Sequence, residues 1–319
     1  MTKKIKVAVV GVGRLGGFHA EKYAGIESCE LVGVSDVDAA RAAEVAGKLG
    51  VKVYPDYRGL LPLVDAVSIA TPTESHLELG RAFLEQGVHV LVEKPIAMDS
   101  AEADILVETA RSSGAVLQVG HLERFNPAVV ALEGRLQTPL FIESYRLSPF
   151  PERSTDIDVI LDLMIHDIDI IMNLVGEEEP VDIKAMGVPV ITRHVDIANA
   201  RLRFAGGCVA NVTANRVSKE RTRNIRLFAH DSIIDIDYAA QHISITRSVR
   251  SGNGGNAALI DEEIEIQKKD SLLEEIKSFV ESCRLGTGPL VSGEAGRRAL
   301  IVAEGIQESV KKSMARFRV

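Results

Sequence analysis

The sequence predicts an α/β Rossmann domain with a parallel sheet, followed by an α+β domain with a large, mostly antiparallel open sheet. Three observations carry this. Apolar β-branched runs alternate with helical stretches through roughly the first 120 residues, the mark of βαβ units. A glycine fingerprint, GVGRLG, follows the first of those runs. From Val181 to about Arg247, strand-like runs succeed one another without intervening helices, as in an antiparallel sheet.

The elements read in order. "KIKVAVVG" is a buried strand, and "RLGGFHAEKYAGI" opens a helix behind the glycines. "CELVGVSD" is a second strand, and "VDAARAAEVAGKLG" a helix stopped by Gly50. "DAVSIATP" ends at Thr71-Pro72, because the residue before a proline avoids helical geometry. "TESHLELGRAFLEQG" is a helix closed by Gly87, and "VHVLVEKP" a strand halted by Pro95. "DSAEADILVETARSSG" starts on a capping Asp or Ser, and "AVLQVGH" is another strand. Beyond it come a short helix in "RFNPAVVALEGRL", a strand in "LFIESYRLSP" and a long helix from Asp156 to Val175. "RSGNGGNAA" reads as a loop, and two helices close the chain, Ser271 to about Leu285 and Gly293 to about Lys312. This divides the chain into a dinucleotide-binding domain, 1–122, and a substrate-binding and oligomerisation domain, 123–319. The last helix is a candidate to pack back on the first domain.

The bulk composition narrows the function. The 319 residues carry a formal net charge of −8, with 46% hydrophobic and 26% charged residues. An acidic chain argues against a nucleic-acid partner, which needs a basic surface. Cys29, Cys208 and Cys283 stand far apart with no metal-ligand spacing, which fits reduced thiols in a cytoplasmic protein. The apolar run in "MTKKIKVAVVGVG" is short and ends in the glycine motif, so it reads as a strand, not a signal peptide. No membrane partner is expected.

The chemistry begins at Gly11-Val12-Gly13-Arg14-Leu15-Gly16. Gly11 permits the tight turn, Gly13 lets a pyrophosphate approach the backbone, and Gly16 lets strand and helix pack closely. The helix N-terminus faces the phosphates. Asp36, at the end of the second strand, suits the adenosine ribose hydroxyls and repels a 2′-phosphate, so NAD is favoured over NADP. Arg14, Leu15, Thr71, Pro72, His76, Glu93 and Lys94 complete the expected cofactor site, all at the carboxyl ends of strands or the helix starts after them; taken alone, Glu93-Lys94-Pro95 reads rather as a solvated lysine beside a surface glutamate. For His76 a local hydrogen bond at a helix start is the equal alternative. In the long helix Asp162 and His166 are four apart and share a face, where a carboxylate can tune an imidazole proton acceptor. Asp158 and Asp169 fall near the same side, while Asp167 is rotated away and reads as solvated. Metal binding by Asp162, His166 and Asp169 is one rival and a purely structural role, with His166 a satisfied core histidine, is another; no metal is expected.

"VAVVGVGRLGGFH", "ATPTESH", "EKP", "QVGHLERFNP", "DLMIHDID" and "SGEAGRRALIVAEGIQESV" occur in that order. Together they resemble the glucose-fructose oxidoreductase / inositol dehydrogenase family of NAD(P)-dependent sugar oxidoreductases, over essentially the whole chain. The resemblance implies a Rossmann domain, an open sheet that makes homodimers or homotetramers, and a sugar or UDP-sugar substrate. It assigns Lys94 to the substrate and nicotinamide, and Asp162 and His166 to the proton acceptor. "VGHLERFNPAV" and "DLMIHDIDIIMNLV" resemble the branch that oxidises the 3-hydroxyl of a UDP-N-acetylhexosamine. His121 stands where many family members carry an aromatic residue.

Arg124, Asn126 and Arg153 are candidate substrate contacts, though Asn126-Pro127 equally starts a helix. The basic run Arg216, Lys219, Arg221, Arg223 and Arg226 either holds a diphosphate or is a solvated strand and turn. Two other functions remain open at this stage: dehydrogenation of a free sugar or inositol, and a non-catalytic dinucleotide-binding regulator. A regulator has no need of Lys94, Asp162 and His166 together.

Overall fold

The computed structural model describes residues 4–133, 135, 139–150, 157–176, 179–250 and 257–315. The chain forms two units. One contains the residues up to Leu122 together with Asp270–Arg297; the other contains Glu123–Lys269 and the residues from Arg298 onward.

The first unit is built on six parallel strands: β1 (Ile5–Val10), β2 (Cys29–Ser35), β3 (Lys52–Val53), β4 (Ala66–Ile69), β5 (His89–Glu93) and β6 (Leu117–Gly120). Their order is β3-β2-β1-β4-β5-β6. The order reverses between β1 and β4, the switch point outside which open α/β sheets bind ligands. Val7, Val9, Ala66, Val67, Val90 and Leu91 are fully buried, as strands of a sheet covered on both faces must be. The helices are α1 (Arg14–Ala24), α2 (Ala39–Leu49), α3 (His76–Leu84) and α4 (Ser100–Ser113). Asp38 and Asp99 cap α2 and α4 by accepting backbone N–H bonds, and Gly50 and Gly114 end them at positive φ.

The second unit opens with the one-turn α5 (Pro127–Val130) and β7 (Phe141–Leu147). Helix α6 (Ile165–Val175) follows, then β8 (Pro180–Val188), β9 (Ile197–Phe204), β10 (Val209–Asn215), β11 (Thr222–Phe228), β12 (Ser232–Asp237), β13 (His242–Arg250) and β14 (Ala257–Glu263). The strand order is β14-β13-β12-β11-β7-β10-β9-β8. Only the β7–β10 pair is parallel. Alternate residues of β9 and β10 are buried, the period of a sheet covered on one face. That face packs on Ile165, Ile168, Ile171 and Met172 of α6. The other face leaves Tyr145, Met186 and Val188 exposed.

The chain ends with α7 (Ser271–Leu285) and α8 (Gly293–Met314). The sequence places α7 in the second domain; the structure places it in the first. Its Ile276, Phe279, Val280 and Cys283 recur at helical spacing and join the core of Val7, Val9, Val34 and Leu91. The boundary also divides α8, whose first residues belong to the first unit.

Three local expectations change. Asp156, where the sequence starts the long helix, lies outside the described residues; within them a π turn, Ile160–Met164, precedes α6. Arg250 and Ala257-Ala258, read as loop, lie in β13 and β14, while 251–256 fall outside the described residues. β14 is an edge strand with exposed Leu259 and Ile260 and an acidic end, so its alternation is blurred. The third change concerns Arg216, expected on a solvated turn or a diphosphate. It is wholly buried instead, donating to Asp196 Oδ1 at 2.8 Å, the Ile157 carbonyl at 2.6 Å and Thr192 Oγ1 at 3.0 Å.

Burial would push the Asp196 carboxyl upward, but N–H groups of Ile191, Thr192 and Val190 and the Arg216 guanidinium hold it far below the usual range. Arg216→Met therefore removes one member of a buried ion pair and should lower stability by about 3–5 kcal/mol in urea denaturation. A depressed carboxylate stabilises above its unfolded pKa of about 3.9. The stability difference between wild type and Asp196→Asn should be full above that pH and shrink as pH falls below it. A difference independent of pH would show that the charge on Asp196 is not what stabilises.

Candidate active site

The dinucleotide end of the first unit is set by backbone contact. Gly11 has φ 81°, and its N–H donates to the Ser35 carbonyl at 2.8 Å. A Cβ on Gly16 would stand 1.8 Å from the Gly11 carbonyl oxygen, so only glycine lets α1 start this close to β1. A Cβ on Gly13 would meet nothing within 4 Å, so that position faces open space. Gly13 caps α1 with no side-chain bond, and no acidic residue occupies the first turn. The first N–H groups of α1 are thus left without a side-chain acceptor, and Arg14 and Leu15 sit exposed on that turn.

Asp36 does more than the sequence suggests. Its Oδ2 accepts the Val12 N–H at 2.7 Å and its Oδ1 the Asp38 N–H at 2.8 Å. It ties the end of β2 to the glycine loop. Arg41 Nη1 lies 3.6 Å away. An open glycine, a side-chain-free helix N-terminus and an anchored carboxylate at the β2 end fit a dinucleotide.

At the end of β5 the Glu93-Lys94-Pro95 corner turns its glutamate inward. Glu93 is 8% exposed and packs on Gly120, where a Cβ would meet the carboxyl at 2.9 Å. Its Oε1 lies 3.0 Å from His19 Nε2. The expectation of a cofactor contact for Glu93 gives way to a place beneath the corner; Lys94, the next residue, is half-buried. His76 is buried too. Its Nδ1 lies 3.0 Å from the Pro95 carbonyl and its Nε2 3.0 Å from the Thr71 carbonyl. The ring therefore braces the β5 corner against the loop after β4. Burial pushes its pKa down, against the two carbonyls that favour the protonated ring. Thr71 Oγ1 accepts from Ser75 Oγ at 2.7 Å in the same loop, and Pro72 is exposed. His121 is buried, with its N–H on the Val119 carbonyl.

In the second unit, Asp158 starts the helix. Its Oδ1 accepts the N–H groups of Ile160 and Leu161, and its Oδ2 accepts from Gln307 Nε2 at 2.6 Å. Asp162 lies in the π turn and His166 in the first turn of α6; both are half-buried. π turns interrupt α-helices at functional sites more often than elsewhere. Asp167, expected in solvent, is 1% exposed. Arg146 of β7 donates Nε–H to its Oδ2 at 2.6 Å and Nη2–H to its Oδ1 at 3.2 Å. Arg146 also donates to Glu123 Oε1 at 3.0 Å and stacks 5.3 Å from the Tyr238 ring centre. Burial disfavours this guanidinium, but Asp167 and Glu123 more than offset it.

Asp169 is buried as well, with Arg124 Nε at 3.8 Å from Oδ2. Asn126 caps α5 through Ala128 N–H and donates to Glu123 Oε2 and the Tyr238 carbonyl, so its side chain is scaffold rather than substrate contact. Arg223 is half-buried opposite Arg146, Arg226 pairs with Asp235, and Lys219 and Arg221 are exposed. Arg153 lies outside the described residues. Nothing local marks Arg146 as a partner: it sits 21 residues before Asp167, in a strand whose side chains alternate faces.

The first unit has the fold and site of a nicotinamide-dinucleotide oxidoreductase. Residues 5–121 match the oxidoreductase family with an NAD-binding Rossmann fold, and residues 130–233 match the GFO/IDH/MocA C-terminal domain. The chain is 40% identical over 313 residues to UDP-N-acetylglucosamine 3-dehydrogenase of Acidithiobacillus ferrooxidans, covering 98% of this chain and 99% of that one. A solved structure of UDP-N-acetylglucosamine 3-dehydrogenase from that organism superposes with a TM-score of 0.92 at 39% identity, over 97% of this chain and 98% of the other. Myo-inositol 2-dehydrogenase of Thermotoga maritima is 29% identical over 327 residues, 97% of each chain. The chain belongs to the GFO/IDH/MocA oxidoreductase family.

The His76 brace gives a prediction. His76→Ala frees the Thr71 loop and the Lys94-Pro95 corner from each other, and an ångström of misplacement is enough to slow a reaction about 100-fold. Turnover should fall about 10- to 100-fold while thermal unfolding stays cooperative. Unchanged kcat in a folded variant would show that the brace does not organise the site.

Proposed function

We propose that this enzyme oxidises the 3-hydroxyl of a UDP-N-acetylhexosamine to a ketone, with NAD as the oxidant. The supporting observation is the 40% identity to a UDP-N-acetylglucosamine 3-dehydrogenase across 98% of the chain. In this reading His166 takes the hydroxyl proton and Asp162 orients the imidazole. Lys94 donates a hydrogen bond to the reacting oxygen and stabilises the negative charge that develops on it. Gly11, Gly13 and the start of α1 hold the pyrophosphate, and Asp36 the adenosine ribose. The bound dinucleotide supplies the hydride acceptor. The ketone product is a substrate for an amine-transferring enzyme on the route to lipid A or cell-surface polysaccharide.

The uncovered sheet face bearing Tyr145, Met186 and Val188 is the surface we assign to a homodimer or homotetramer. Cytoplasmic location belongs to the same reading. The described cysteines are all buried free thiols, and among the described residues no helix is long and apolar enough to cross a membrane. Oxidation of a cyclic polyol is the second reading, favoured by the match to an inositol dehydrogenase.

Two variants test this. His166→Ala should lower kcat by roughly 10²–10⁴-fold with NAD affinity unchanged, read from NADH formation on a panel of UDP-sugars and inositols. Near-normal turnover removes His166 from the mechanism. Tight NAD binding by the wild-type protein without turnover on any panel member revives a non-catalytic regulator. Asp36→Ala removes the carboxylate but leaves Arg41 beside it, so NAD should bind more weakly and NADP relatively better. An unchanged ratio of the two affinities places the ribose contact elsewhere.

A further inference from the structure

Beneath the Lys94 corner, inside the first unit, lies a polar cluster that the proposed reaction does not use. His19 of α1 and Glu275 of α7 are fully buried, and Glu93 of β5 nearly so. One oxygen of each carboxyl and a His19 nitrogen all lie within 4.8 Å of one another. On its far side His19 Nδ1 lies 3.2 Å from Ser68 Oγ, which also meets the Tyr23 hydroxyl at 2.8 Å. One consistent set of donors runs through this chain. The Tyr23 hydroxyl donates to Ser68, Ser68 to His19 Nδ1, and His19 Nε2–H points toward the Glu93 carboxylate.

Glu275 does not fit as a second anion. Both its carboxyl oxygens lack a hydrogen-bond partner, and His19 Nε2, though 3.0 Å from Glu93, is not aligned for a good hydrogen bond. Two unshared carboxylates at this spacing in a core cannot both stay ionised. The other groups that reach Glu275 bring no cation: Tyr23 from α1, and the Gln118 amide, which donates to the Glu275 carbonyl at 3.3 Å; around Tyr23 the further titratable groups are the thiols of Cys29 and Cys283. Burial first, and the Glu93 charge second, push the Glu275 carboxyl well above the usual range.

We propose that Glu275 is a positioning residue: a neutral carboxylic acid that packs beside Glu93 and His19 and fixes the strand end carrying Lys94. This rests on the reading that gives Lys94 a role at the reacting oxygen. The proton itself can be tested without any substrate. A carboxyl whose folded pKa is raised stabilises fully below its unfolded pKa, about 4.3, and that stability is lost as pH rises toward the folded value.

The experiment compares wild type with Glu275→Gln and Glu275→Leu. Glutamine keeps an uncharged polar group of the same shape and never ionises; leucine keeps only the volume. Relative to Glu275→Gln, the wild type should lose Tm progressively as pH rises above about 4.3. Parallel Tm curves overturn the neutral acid. So does a stoichiometric divalent cation found in the purified wild-type protein by elemental analysis and lost from Glu275→Gln. In turnover, Glu275→Leu should lose about 10- to 100-fold in kcat with NAD affinity within about threefold of wild type, and Glu275→Gln should recover most of the loss. Equal kcat in folded Glu275→Leu overturns the positioning role. If Lys94→Ala is itself as active as wild type, the assignment of Lys94 fails, and the Tm curves still decide the proton.

Discussion

The bidentate contact between Arg146 and Asp167 holds α6 to the sheet of the second unit, and the placement of Asp162 and His166 depends on it. Two parallel hydrogen bonds fix rotation as well as distance. They rotate the helix so that Asp167 faces β7 beneath it, which leaves its neighbour His166 on a different side. The start of the same helix is held from two directions. Asp158 caps it, and Arg216 grips the Ile157 carbonyl from β10's end while paired to Asp196. A charge taken out of water needs a counter-charge inside the protein. Here the obligatory pairs double as clamps on the segment proposed to carry the proton acceptor.

The first unit positions its site by a different means. Backbone contact dominates at the glycine loop, where no side chain fits between Gly16 and the Gly11 carbonyl. Side chains then tie loop to loop: Asp36 joins the β2 end to Val12, and His76 joins Thr71 to Pro95. Glu93 points away from solvent to the core, so the strand end before Lys94 is gripped from below. Each tie connects two segments at the carboxyl edge of the sheet, where this class of fold binds its ligands.

What could be read from the sequence follows from which constraints are local. The glycine spacing states a backbone requirement within six residues, so the strand, the turn and the helix behind it were legible. So was the largely antiparallel run of strands after Val181, because strand-like stretches without intervening helices are written directly in the chain. Asp167 was not legible. Its exposure depends on an arginine in a strand 21 residues earlier, and a helical wheel without that partner puts the aspartate in water. Arg216 failed the same way, as its neighbours in sequence are basic and its partner Asp196 is in the segment before β9. Helix α7 was assigned to the wrong unit, since its apolar spacing says that it packs but not on what. The three-way meeting of His19, Glu93 and Glu275 was invisible for the same reason.

The proposed reaction is one transfer: a hydrogen leaving C3 of a UDP-N-acetylhexosamine for a nicotinamide. The direct measurement is a single turnover with NAD and UDP-N-acetylglucosamine deuterated at C3, followed by mass analysis of the reduced dinucleotide. One deuterium on the nicotinamide ring and a 3-keto sugar are expected. Reduced dinucleotide without deuterium, or a sugar oxidised at another carbon, would contradict the proposed reaction.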